Sequence, residues 1–187
     1  SSDLGINTYG LNLGVHYDIH PVTLPKTTAS TNTKFTEPIK TNFILRTGIN
    51  ESPSIGSGQK PFYHVGVFVD KRLGRKSAIQ LGSEVFFTLS NQEYIRYKAI
   101  AFPELNINPN TDYKRVGIFV GHELFINRLS LEAQLGYYVY QPYKMDIDMY
   151  DRLGMKYYVT KNCFVGLGVK THGLMAEATE FALGIRL

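Results

Sequence analysis

The feature that most constrains this chain is an alternation of apolar and polar residues over 162–187. Val165, Leu167, Val169 and Thr171 alternate with Gly166, Gly168 and Lys170. After a short connection, Phe181, Leu183, Ile185 and Leu187 alternate with Glu180, Ala182, Gly184 and Arg186. A period of two is the side-chain period of a β-strand, so each run presents one apolar face and one small, polar or charged face. Charges on the face that a soluble strand would turn to its core argue against an ordinary sandwich. A barrel in lipid reverses the faces, with apolar residues outward and polar residues lining the lumen. The pair of strands therefore predicts an all-β transmembrane barrel.

The same pattern recurs upstream. Residues 41–50 set Phe43, Leu45, Thr47 and Ile49 against Asn42, Arg46 and Gly48; residues 62–70 set Tyr63, Val65, Val67 and Val69 against His64, Gly66 and Asp70. Further alternating runs cover 79–89, 113–124, 129–140 and 149–159. With the final two they make eight antiparallel strands, the smallest even barrel and one whose lumen is filled by side chains. Short turns at 71–77, 125–128 and 160–162 fall on one side of such a barrel. The longer 90–112, with Pro103, Pro109 and several Asn, falls on the other, although 94–102 reads as a possible extension of a strand beyond the membrane. Residues 6–20 alternate as well and read as an N-terminal extension or an extra strand. Residues 21–40 carry three Pro and a Thr/Ser/Asn-rich run at 27–33, a loop composition. The expected organisation is a segment 1–40 followed by a barrel over 41–187.

Composition narrows the function classes. No window approaches the roughly 18 apolar residues of a spanning helix, so membrane insertion must use strands. The mean hydropathy of −0.15 fits alternating strands, and 13 Tyr and 11 Phe suit the aromatic girdles of a barrel. A net charge of +4 with dispersed Lys and Arg gives no nucleic-acid footprint, but leaves anionic lipid headgroups as partners. The single Cys163 excludes an internal disulfide and a multi-cysteine metal site, and no cofactor motif is present; residues 56–60 are wrongly spaced for a phosphate loop. A secreted chain starting at Ser1 is expected to be already processed.

The inward-facing set is predicted to include Glu84, Arg115, Glu123, Glu132, Arg152, Lys156, Lys170, Glu180 and Arg186. Both signs occur in quantity, which predicts a paired interior rather than a pore. Chemistry is concentrated at the last hairpin, in Lys170, Thr171, His172, Glu177 and Glu180. A histidine beside a carboxylate forms two thirds of an ester-cleaving triad, in which the acid fixes the tautomer and the imidazole takes the nucleophile's proton. The competing reading places His172 and Glu180 in the structural network of the lumen.

The segment Val169-Lys170-Thr171-His172, the loop to Glu180 and the closing run Phe181 to Leu187 resemble the C-terminus of the lipid A deacylase (PagL-like) barrels, notably acyloxyacyl-hydrolase-like members of Bacteroidetes-type bacteria. Gly121-His122-Glu123-Leu124 and Tyr150-Asp151-Arg152-Leu153-Gly154 are similar to the same group, and the resemblance spans about 41–187. It implies an eight-stranded outer-membrane barrel that removes an ester-linked acyl chain from lipid A of lipopolysaccharide through a Ser-His-Glu triad. His172 matches the histidine, and Glu180, or in second place Glu177, matches the acid. The pattern departs at the nucleophile. The family's His-x-Ser becomes His172-Gly173-Leu174, no serine follows Ser130, and the adjacent hydroxyl, Thr171, points away from His172 on a regular strand unless a bulge re-aims it. Two functions follow as expectations: a deacylase-type hydrolase with an incomplete triad of His172, Glu180 and Thr171, or a non-catalytic accessory subunit of a larger outer-membrane protein complex that docks through its long loops.

Overall fold

A computed structural model describes residues 35, 37–52, 58–145, 147–173 and 175–187. The strand expected at 6–20 lies outside them. Eight strands follow one another: β1 (Lys40–Glu51), β2 (Gln59–Arg72), β3 (Ser77–Thr88), β4 (Arg115–Ile126), β5 (Leu129–Tyr140), β6 (Met149–Tyr158), β7 (Cys163–His172) and β8 (Met175–Arg186). Each pairs antiparallel with its sequence neighbour, and β1 closes on β8 with Phe43 opposite Ile185 and Arg46 opposite Ala182. The eight expected strands are therefore present within a few residues of their expected ends, in a closed barrel that leaves no strand edge exposed.

Alternation decides what each face does. The outer wall carries Leu81, Leu153, Leu167, Phe181 and Leu183, of which Leu153 is 67% and Phe181 62% exposed. All nine charged residues expected inside are buried. Aromatic side chains share the lumen with them: Phe68, Phe86, Phe119, Tyr138, Tyr150 and Phe164 form one buried cluster. Glycines on the inward face create the room. A Cβ at Gly136 would lie 2.1 Å from the Tyr150 ring, and one at Gly184 would lie 2.1 Å from the Phe164 ring.

The two ends of the barrel differ. One end holds the tight connections 73–76, 127–128 and 159–162 together with the start of β1 and the end of β8. The other holds the longer connection between β3 and β4, and there the structure corrects the sequence reading. Residues 94–102 do not extend a strand; the helix α1 spans Leu89–Ala101. The reason is that β3 has already spent its pairing. The pairing of β3 ends at Thr88, whose partner in β2 is Phe62, and β4 begins only at Arg115, opposite Phe86. Gln92, Glu93, Arg96, Lys98, Ala99 and Ala101 are helix formers left to local preference. The helix is fastened by Ser90, whose hydroxyl donates to Asn50 Oδ1 at 2.9 Å, by the Lys60–Glu93 ion pair, and by buried Ile95.

Candidate functional site

At mid-lumen, buried cations and carboxylates interlock. Arg152 donates to Glu180 Oε2 at 2.6 Å and to Glu84 Oε2 at 2.8 Å, and Arg46 pairs with Glu84. Lys156 Nζ lies 2.6 Å from Glu132 and 3.3 Å from Glu123. A buried charge without a partner costs several kcal/mol, so reciprocal pairing is the condition for keeping so many charges inside so narrow a barrel. Glu180 belongs to this network. Its second oxygen lies 2.8 Å from His64 Nδ1, and the His64 ring stacks on Phe62 at 4.6 Å and meets Phe86 edge-on at 4.7 Å. Both Glu180 and His172 turn inward, as strict alternation requires, but Glu180 is committed to Arg152 and His64 rather than to His172.

The carboxylate beside His172 is Glu177. His172 Nδ1 lies 3.7 Å from Glu177 Oε2, and His172 Nε2 lies 3.0 Å from the Tyr138 hydroxyl. Arg115 Nη2 donates to Glu177 at 2.6 Å, and Lys170 pairs with the same carboxylate. Strict alternation assigns Glu177 to the outer face with Thr179 and Phe181. A β-bulge reverses that assignment. Lys170 is opposite Ala178 while Thr171 is opposite Ala176, which leaves Glu177 as the extra residue in β8. The unpaired residue of a bulge is free to re-aim its side chain, and here it meets the inward cations Arg115 and Lys170. The hairpin loop is short, because β8 begins at Met175.

Thr171 stays on the outer side. It lines a shallow hollow in the wall together with Val120, Leu135, Asp151, Leu153 and Val169, and Asp151 is its cross-strand neighbour. The bulge that could have re-aimed a hydroxyl has acted on the facing strand. Tyr138, His64 and Arg115 were not singled out as site residues by the sequence reading, although each lies at an inward position of an alternating strand. A second hydroxyl–imidazole pair sits elsewhere: Ser77 Oγ is 2.7 Å from His122 Nε2 on the outer wall, near the tight-turn end. Among the described residues no three His, Cys, Asp or Glu side chains are grouped to hold a metal ion.

The order at His172 is carboxylate, imidazole, hydroxyl, the order of a general-base relay, with a phenol in the third place. Comparison with known proteins identifies the lineage. The family model described as acyloxyacyl hydrolase, C-terminal domain, matches residues 39–187. No curated protein matches the chain.

Proposed function

Because the chain belongs to the acyloxyacyl hydrolase family through that C-terminal domain, we propose that it is an outer-membrane barrel in contact with lipid A whose ancestral hydrolytic centre at His172 is degenerate. The exposed apolar wall supports the location. Leu81, Leu167, Leu183 and their neighbours form a continuous hydrophobic surface that water would oppose and acyl chains accept. No helix among the described residues is long and apolar enough to cross a membrane, so the strands carry the insertion.

The observation that carries the degenerate reading is the Tyr138 phenol on His172 Nε2. An ester-cleaving triad needs an aliphatic hydroxyl at that nitrogen, whose proton the imidazole takes as the oxygen attacks. A phenolate is a far weaker nucleophile toward an alkyl ester, and Tyr138 is buried and fixed in the aromatic cluster, with its ring 5.4 Å from Phe86 and 5.0 Å from Tyr150. Thr171, the nearest hydroxyl in sequence, faces the wall. Glu177, His172, Lys170 and Arg115 then act as a polar latch that fastens β4, β7 and the β8 bulge at the loop end. Purified barrel incubated with lipid A and followed by mass spectrometry tests this. The expected result is intact lipid A, and loss of one hydroxyacyl chain dependent on His172 overturns it.

A second reading has its own observation. The Ser77–His122 contact of 2.7 Å is within nucleophile–base range. If the barrel hydrolyses any ester, this pair is the alternative centre, and the activity disappears in Ser77→Ala while surviving His172→Ala. The accessory-subunit reading is distinguished by co-purification: it requires partner outer-membrane proteins held by the loop end, where α1 supplies an exposed ridge including Tyr97 and Ile100.

A further inference from the structure

The tight-turn end of the barrel opens into a cavity of about 560 Å³. Five cations line it, Lys40, Arg72, Arg128, Lys161 and Arg186, against one lining carboxylate, Glu37. They reach it from separate parts of the chain: Lys40 begins β1, Arg72 ends β2, Arg128 sits in the β4–β5 turn, Lys161 in the β6–β7 turn, and Arg186 ends β8. This convergence is a product of barrel closure and is invisible as a run of charge in the sequence.

Two of the five cations are committed. Arg186 donates to Asp70 at 2.8 and 2.9 Å and to Glu37 Oε1 at 2.9 Å. Arg72 lies 3.3 Å from Glu37 Oε2 and covers the Phe125 ring at 3.2 Å. The buried Nε is the atom that makes this ion pair, without a hydrogen bond to it. Lys40, Arg128 and Lys161 have no ion-pair partner among the described residues. Arg128 and Lys161 are exposed and Lys40 half-buried, so these three cations stand at the rim of the opening with Arg72 and Arg186 deeper inside, and five cations face one lining carboxylate. Such a rim suits a compact, multiply charged oxyanion. Guanidinium groups bind such anions through paired N–H donors, and lysines add point charge.

We propose that this mouth binds a phosphate group, with Arg128, Lys161 and Lys40 as its principal contacts and Arg72 Nε as an inner donor. Glu37 competes with the phosphate: it holds Arg72 and Arg186 from inside the same opening, and its backbone carbonyl also anchors Lys71 Nζ at 2.7 Å. Removing its charge releases Arg72 from its carboxylate, leaves Arg186 held by Asp70 alone, and lowers the repulsion of an incoming anion. The proposal does not depend on the state of the centre at His172, which lies at the opposite end of the barrel.

The chemistry is shared by a free phosphate or soluble phosphate ester and by the headgroup of an anionic phospholipid, so the test has two arms. In neutral detergent at constant ionic strength, inorganic phosphate is titrated and followed by its phosphorus NMR line. In nanodiscs, retention of phosphatidylglycerol over phosphatidylcholine is read by native mass spectrometry. The double variant Arg128→Gln/Lys161→Gln should weaken the response at least about tenfold in whichever arm shows it, since a charge-assisted contact contributes roughly 1.5–3 kcal/mol and 1.4 kcal/mol is a factor of ten. Glu37→Gln should tighten it severalfold, an effect of opposite sign that misfolding cannot mimic. A response to free phosphate assigns a soluble ligand; a response confined to phosphatidylglycerol assigns a lipid headgroup. No binding in either arm, or binding indifferent to Arg128→Gln/Lys161→Gln, overturns the proposal. An unchanged heat-modifiable band on gels certifies that each variant barrel is folded.

Discussion

The two ends of this barrel handle charge in opposite ways. At the loop end, the buried cations Arg115 and Lys170 converge on Glu177, and His172 adds its Nδ1 to the same carboxylate. At the tight-turn end, Lys40, Arg128 and Lys161 surround an opening whose one lining carboxylate, Glu37, is already engaged with Arg72 and Arg186. The first arrangement converges on a carboxylate; the second is open and electropositive. The difference teaches where to look for function in this family member. Residues that pair with one another fasten strands together, and the cations at the opening are the ones the proposed phosphate would meet.

The contrast is broken most severely by Glu177→Gln. Both Arg115 and Lys170 would lose their counter-charge, and breaking a buried pair by removing one partner costs about 3–5 kcal/mol. Glu177 is 13% exposed, so the lower part of that range is expected. Urea titration of the refolded barrel in detergent measures it. A cost below about 1 kcal/mol would show that the loop end is not held by this carboxylate.

Next in size come changes that test the wall against the lumen. Leu167→Arg and Leu131→Arg, both on the outer face, should cost about 2–4 kcal/mol if they sit near the bilayer midplane. Gly136→Ala faces the other way and forces a Cβ into the Tyr150 ring. Overpacking of this kind costs roughly 1–3 kcal/mol. Gly166→Ala, whose Cβ would meet Ala182 Cβ at 3.2 Å, should cost less than Gly136→Ala. Equal tolerance of Gly136→Ala and Gly166→Ala in folding assays would contradict the packed lumen. The smallest effect belongs to the open end: Arg128→Gln and Lys161→Gln sit on exposed turns and should change stability by no more than about 0.5 kcal/mol, leaving anion binding as their only consequence.

Much of this was legible in the sequence because a strand in a barrel has one simple code. Residues 129–138 alternate without interruption, and β5 spans the expected 129–140 with an irregularity only at Val139. The inward charges, from Glu84 to Arg186, could be assigned by parity alone. What parity could not carry is the bulge. It adds one residue to β8, moves Glu177 from the outer set to the inner one, and so changes which acid stands beside His172. Alternation placed Glu180 and His172 on the same face correctly but could not say that Arg152 and His64 already hold Glu180. The helix at Leu89–Ala101 was missed for a related reason: its residues are polar and aromatic in no clear period, and its state follows from the loss of a pairing edge after Thr88. The tight-turn mouth was illegible altogether, since its cations stand as far apart in the chain as Lys40 and Arg186.

The central claim, that the imidazole of His172 faces a phenol and activates no alcohol, is tested most directly by a reactive fluorophosphonate, which forms a covalent adduct with an activated serine or threonine whatever the natural ester. The folded barrel is incubated with the probe and its intact mass recorded. The account predicts no adduct that depends on His172: the extent of modification is the same in the wild type and in His172→Ala. A phosphonyl adduct that forms on the wild type and disappears in His172→Ala would contradict it.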